Sequence, residues 1–167
     1  MQEGRQIASS AFQALSSNLK QAIVVEGVSG ALKFCNIEAM PLTESLSTHF
    51  GVELRRASHR PRNPSNQPDS LEMVTIRKYL QQLDLDNEPE PVVYADSRRI
   101  AFHAPIRIST GLCLNCHGRP GNEIATEDLK LIQSLYPQDE ATGFEMGELR
   151  GIWSITFPRD HFTDNNR

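Results

Sequence analysis

Residues 111–118 read GLCLNCHG, with Cys113 and Cys116 three apart and His117 directly after the second thiol. Any fold of this chain must bring those side chains to one place. Cys-x-x-Cys-His is the attachment signature of c-type haem. Two thiols at this spacing reach the two vinyl groups along one edge of the porphyrin. The next residue is carried over the iron, where its imidazole becomes the proximal ligand. One covalently attached haem c, with thioethers at Cys113 and Cys116 and His117 on the iron, is the expected cofactor.

Other uses of the same residues are less compatible with the pattern. A Cys₃His zinc site from Cys35, Cys113, Cys116 and His117 would need adjacent residues 116 and 117 to converge on one tetrahedral ion, although their side chains point different ways. A redox dithiol wants its cysteines at a helix start near a βαβ pattern, which the sequence lacks. A structural disulfide belongs to an oxidising compartment. Three cysteines is an odd number for a full disulfide framework.

The 167 residues are enough to bury a core without staples. At 38% hydrophobic and 23% charged, the chain reads as globular. A net charge of −4 leaves no broad basic face for nucleic acid. No apolar run approaches the ~20 residues that span a bilayer. The start, MQEGRQIASSAF, has no apolar signal-peptide core. Haem c is attached outside the cytoplasm in bacteria, so Met1 is expected to replace a removed leader or anchor, and the location to be periplasmic or otherwise extracytoplasmic.

We read the chain as one α+β domain over 1–167, with N-terminal helices over about 5–50 and a mixed sheet and helix core over about 51–158. Residues 5–26 carry an apolar stripe at helical spacing. A second helical run follows Gly27 to Gly30. Pro41 is expected to kink or restart it, and Gly51 to end it. VELRRAS reads as a short strand, HRPRNPSNQPD as loop, and SLEMVTIRKYLQQLD as a helix with Ser70 as N-cap. EPVVYADSRRIAFHAPIRIST reads as two strands around a turn at 96–98. The cysteine segment is expected as a loop. TEDLKLIQSLYP reads as a helix capped by Thr126, and GELRGIWSITF as a closing strand. Few short strands with helices gathered elsewhere predict a largely antiparallel sheet.

The sixth iron ligand has several candidates. Methionines and lone histidines are by default core or surface residues. On pattern alone Cys35 and His103 stand level: Cys35 sits in a helical run, and His103 alternates with Phe102 in a strand.

Taken together, several segments resemble the PAS-like c-type haem domains, which occur as small secreted proteins and as extracytoplasmic sensor domains. They are the helix carrying Cys35, RRASHRPRNPSNQPD at 55–69, IAFHAPIRISTGLCLNCHG at 100–118, and YPQDEATGFEMGELRGIWSITF at 136–157. The resemblance implies an antiparallel sheet wrapped by helices, with haem between sheet and helices. It implies His117 as proximal and Cys35 as distal ligand, with His103 as the alternative. Pro41, six residues after Cys35, is a departure expected to shift the helix that delivers the sulfur.

A thiolate ligand donates charge to ferric iron and lowers the potential relative to a Met/His pair. Reduction then leaves uncompensated negative charge in a low-dielectric pocket. Release of the sulfur would relieve it and open a site for a diatomic gas. Arg55, Arg56, Arg62 and Arg150 are candidates for the haem propionates, because arginine pairs carboxylates with bidentate geometry. The expected function is a redox or diatomic-gas sensor domain. The alternatives are a soluble electron-transfer cytochrome, and a zinc or disulfide module without haem. A six-coordinate iron has no open position and no acid/base constellation flanks the motif, so an enzyme is not expected. The redox partner or signalling module is not legible.

Overall fold

The computed structural model describes residues 1–97 and 99–162. Helix α1 (Gln2–Phe50) leads to strand β1 (Glu53–Ala57), a 3-10 turn (Pro64–Asn66) and helix α2 (Ser70–Asp84). Strands β2 (Val92–Ala95) and β3 (Arg99–Arg107) form a hairpin. Helices α3 (Gly111–His117) and α4 (Thr126–Leu135) and strand β4 (Leu149–Pro158) complete the order. The strands make one antiparallel sheet in the order β1-β4-β3-β2. The α+β, PAS-like expectation holds.

Both faces of the sheet are covered, which is why central β4 is buried along almost its whole length. On one face Leu54, Phe102, Ala104, Trp153, Ile155 and Phe157 pack against Ile7, Ala8 and Ala11 of α1. On the other, Ala57 and Ile152 pack against Ile76 and Tyr79 of α2. Successive strand residues alternate between these faces. Arg56, two after Leu54 and paired with Trp153, is therefore on the α1 side. Arg55 and His103 are on the α2 side.

Helix α1 differs from expectation in two ways. Its one non-helical residue is Gly27, at φ 70° and ψ −167°, so the break is a single residue and not the stretch 27–30. Pro41 lies inside the helix and does not interrupt it. Proline removes one bond, to the carbonyl four residues back. That residue is Ile37, 64% exposed, so its surroundings are open to water. Gly51 ends the helix as expected, at φ 64°.

The caps shift by one residue. Asp69, not Ser70, caps α2: its side chain accepts from Glu72 N–H at 2.8 Å, and Glu72 Oε2 accepts from Asp69 N–H at 2.8 Å. Aspartate with glutamate three residues on closes the reciprocal box that serine at 70 could not. Ala125 precedes α4, and Thr126 is its first helical residue. The hairpin turn is closed by Asp96 N–H on Arg99 O (3.1 Å) and Arg99 N–H on Asp96 Oδ1 (3.0 Å), while Arg98 lies outside the described residues. The cysteine segment is helix α3, not a loop.

Candidate functional site

Helix α3 leaves the end of β3 and is strapped from two directions. Ile108 N–H donates to Glu148 O (2.9 Å) and Gly147 N–H to Ile108 O (2.8 Å), which fixes its entry against the start of β4. At its C-terminus Phe144 N–H donates to His117 O (2.8 Å) and Gly143 N–H to Gly118 O (2.7 Å). These bonds satisfy end carbonyls that a helix leaves without internal partners. They also bring segment 139–144 alongside His117.

His117 Nδ1 lies 2.8 Å from Ala141 O. A carbonyl only accepts, so Nδ1 carries the proton and Nε2 presents its lone pair. Phe144 meets the ring edge-on at 6.2 Å. Burial, then Arg150 and Arg62, hold His117 well below the ordinary imidazole range, so it stays neutral. A neutral imidazole oriented through its other nitrogen is a prepared metal ligand.

Cys113 packs on Ile108, Ala141 and Phe144. Cys116 packs on Leu32, Ile124 and Ile132, where α1, α3 and α4 meet. Burial pushes the Cys116 thiol up to about 11, against the pull of Arg62, and Cys35 is within electrostatic reach. Cys35 comes from the part of α1 after Gly27. Burial raises its thiol, opposed by Arg56 and Arg62. Cys35, Cys116 and His117 keep part of their surface accessible while crowded by protein atoms, the condition of residues lining a concave site.

The arginines divide by role. Arg62 is a clamp: Nε holds Asp139 at 2.9 Å, and Nη2 donates to Cys116 O (2.7 Å) and Ala141 O (3.2 Å). Arg55 is spent on Glu72 (2.8 Å) and the carbonyls of Ser65 and Gln67 (2.9 Å each), on the far face of the sheet. Arg150 bonds Ser58 Oγ and Arg60 O through Nη1, but its buried Nε has no partner. Burial, with Arg62 and Arg56 nearby, lowers Arg150 to about 9. Arg56 is lowered by burial, with Cys35 and Tyr136 opposing; among the described residues it makes no hydrogen bond or ion pair. Two guanidiniums beside the motif thus keep N–H groups that no described protein acceptor takes up.

The structure therefore brings together Cys35, Cys113, Cys116, His117, Arg56, Arg62 and Arg150. It does not bring His103 or Arg55. His103 is buried on the α2 side, with Nδ1 2.7 Å from Thr75 Oγ1. Among the described residues no three of His, Cys, Asp and Glu are close enough together to hold one metal ion directly. Sequence reasoning missed Asp139, Ala141 and Phe144, and also Tyr136, which bonds Asn36 beside Cys35. Ala141 acts through its carbonyl, for which no residue type is a signal. Aromatic Phe144 and Tyr136 in an otherwise polar stretch were the only visible cue.

The fold and site define an α+β, PAS-like domain in which a Cys-x-x-Cys-His helix faces a cysteine delivered by a long helix. A family model described as Tll0287-like matches residues 1–158, and the chain belongs to that family. Among solved structures, the crystal structure of the cyanobacterial heme-protein Tll0287 superposes with a TM-score of 0.59 at 24% identity. The match covers 72% of this chain and 71% of that one. A search of curated proteins finds no match. No described helix is long and apolar enough to cross a membrane.

Proposed function

We propose that this protein binds one haem c, attached through Cys113 and Cys116, with His117 and Cys35 as iron ligands. It serves as an extracytoplasmic redox or diatomic-gas sensor, not as an enzyme. The observation that carries the reading is the bond from His117 Nδ1 to Ala141 O, which leaves Nε2 as a free ligand atom on the helix that also carries Cys113 and Cys116. Membership of a family whose solved relative is a heme-protein supports it. The orphaned Arg150 Nε and unpartnered Arg56 suit propionate oxygens, which would otherwise lie uncompensated in a desolvated site. When bound, haem supplies a one-electron centre that also accepts diatomic ligands.

The chain's own part is to hold His117 in one tautomer and to place Arg56 and Arg62 where they oppose the burial that raises the Cys35 thiol. A thiolate so held opposes reduction, and its departure is the two-state event a sensor needs. His103 lies on the opposite face of the sheet, bonded to Thr75, which supports Cys35 as the distal ligand.

The test is a pair of variants expressed with haem-ligation machinery. Wild type should retain its colour through acid–acetone extraction and show a low-spin ferric spectrum with a sulfur charge-transfer band. Cys35→Ala should lose the band, raise the potential and speed carbon monoxide binding by the ferrous form. His103→Ala should leave all three unchanged. A colourless product, or a silent Cys35→Ala beside an altered His103→Ala, refutes the assignment.

A further inference from the structure

We propose that His59 is the redox-linked proton acceptor of this site: an electron delivered to the iron is accompanied by a proton taken from solvent onto its imidazole. The inference rests on the haem reading above. The rings of His59 and His117 approach one phenylalanine, Phe144, edge-on at 6.4 and 6.2 Å. The guanidinium carbons of Arg60 and Arg150 stand 4.0 and 5.4 Å from the centre of that same ring. His59 Nδ1 is buried and has no partner. His59 also lines an open depression of about 420 Å³ between the end of α2, residues 86–88 and the start of β4. One side of this histidine thus faces water, and the other faces the cationic cluster that flanks His117.

That position sets its proton affinity. Burial, then Arg60 and Arg150, hold His59 below the ordinary imidazole value, and Glu148 opposes them. Asp84 and Asp86 face it across the depression, where Glu88 is already paired with Arg107. Negative charge added beyond Phe144 offsets the field of the two arginines, strongly so where the dielectric is low. The step balances: ferric iron gains one electron from a one-electron donor such as dithionite, neutral His59 gains one proton from water, and the net charge of the site is unchanged. The linkage then has a fixed sign. The reduced state binds the proton more tightly, so the midpoint potential rises as pH falls.

The experiment is redox titration of the haem-loaded protein between about pH 5 and 8, the range in which an imidazole titrates. Wild type and His59→Gln are compared, with absorption spectra at each point. A tenfold change in proton activity moves a fully coupled potential by about 59 mV. Wild type should show a slope approaching this in the weakly acidic range, with its low-spin spectrum intact, and His59→Gln should be flat there. Nitrogen-15 NMR of the wild-type imidazole should report a higher pKa in the reduced than in the oxidised protein, a readout that needs no variant to fold. An undiminished slope in His59→Gln, or identical imidazole titrations in the two oxidation states, overturns the proposal. So does a slope that appears only as the low-spin spectrum is lost, which would assign the proton to the Cys35 sulfur. Absence of covalent haem, in contrast, would show in the spectra and strike the underlying reading.

Discussion

Arg62→Met should be the most damaging arginine substitution in the protein, and damaging to the fold before anything else. The Arg62 and Asp139 side chains are only 10% and 8% exposed, and they meet at 2.9 Å. Nη2 also supports the carbonyls of Cys116 and Ala141, so one side chain ties the loop after β1 to α3 and to segment 139–144. Methionine keeps the apolar stem but leaves Asp139 charged and buried. Breaking a buried pair from one side costs about 3–5 kcal/mol. At roughly 2–4 °C per kcal/mol for a chain of this size, the melting temperature should fall by about 6–20 °C. The internal control is Arg5→Met. Arg5 pairs with Glu90 at the same 2.9 Å, but the two side chains are 51% and 71% exposed. Such a pair contributes about 1 kcal/mol or less. The double variant Arg62→Met/Asp139→Asn should recover part of the loss, because no lone charge remains. Far-ultraviolet circular dichroism melts of the four proteins decide it. If Arg62→Met melts no earlier than Arg5→Met, burial is not what governs the strength of this clamp.

Asp69→Ala removes one half of the reciprocal cap on α2 and should cost about 1 kcal/mol in urea unfolding, whereas Ser70→Ala should cost much less. His103 is buried and held below its ordinary value by that burial, with Glu72 and Asp69 opposing. The unfolded chain therefore binds its proton more readily, so stability is lost as pH falls below about 6.5. Denaturation of His103→Gln between about pH 5 and 7 should show a shallower acid loss than wild type, by up to about 1.4 kcal/mol per pH unit.

Legibility in the sequence followed the reach of the physical signal. Period-two alternation around Phe102 and Ala104 defined β3, and helical spacing defined α2 and the first part of α1. The same alternation separates Arg56 from Arg55, and His103 from Phe102. Which face adjoins the cysteines depends on where α1 crosses, and no local pattern carries that. Helix α3 escaped because seven residues are too few for periodicity, and its stability comes from outside partners at Gly147, Gly143 and Phe144. Pro41 misled because the damage proline does depends on the surroundings of the carbonyl it orphans. The support of His117 was invisible for another reason: its partner atom is a main-chain oxygen. Asp139 and Phe144 were missed for a related reason: their side chains act on Arg62 and His117, which lie far from them in the sequence.

The approach of α1 to the site depends on a bend at Gly27 that glycine permits. Its φ of 70° with ψ of −167° falls in a region that is essentially restricted to glycine. Space is not the constraint, since a Cβ there would meet nothing within 4 Å. The penalty for Gly27→Ala is therefore conformational, of order 1–3 kcal/mol. The chain can relieve it by continuing the helix straight, but the bend is what directs the next turns inward. Ser29 Oγ then reaches the buried Asp128 carboxylate at 3.0 Å, and Leu32 enters the cluster with Ile124 and Ile132. Two turns after the bend comes Cys35. Gly27→Ala should thus lower the melting temperature and, in the haem-loaded protein, weaken the low-spin sulfur signature, although residue 27 lies two turns from Cys35. Gly51→Ala, also at positive φ with open space around it, provides the contrast: it should cost stability without touching the spectrum. If Gly27→Ala keeps both stability and spectrum, the helix reaches the site without the bend, and the delivery of Cys35 must be explained by its contacts alone.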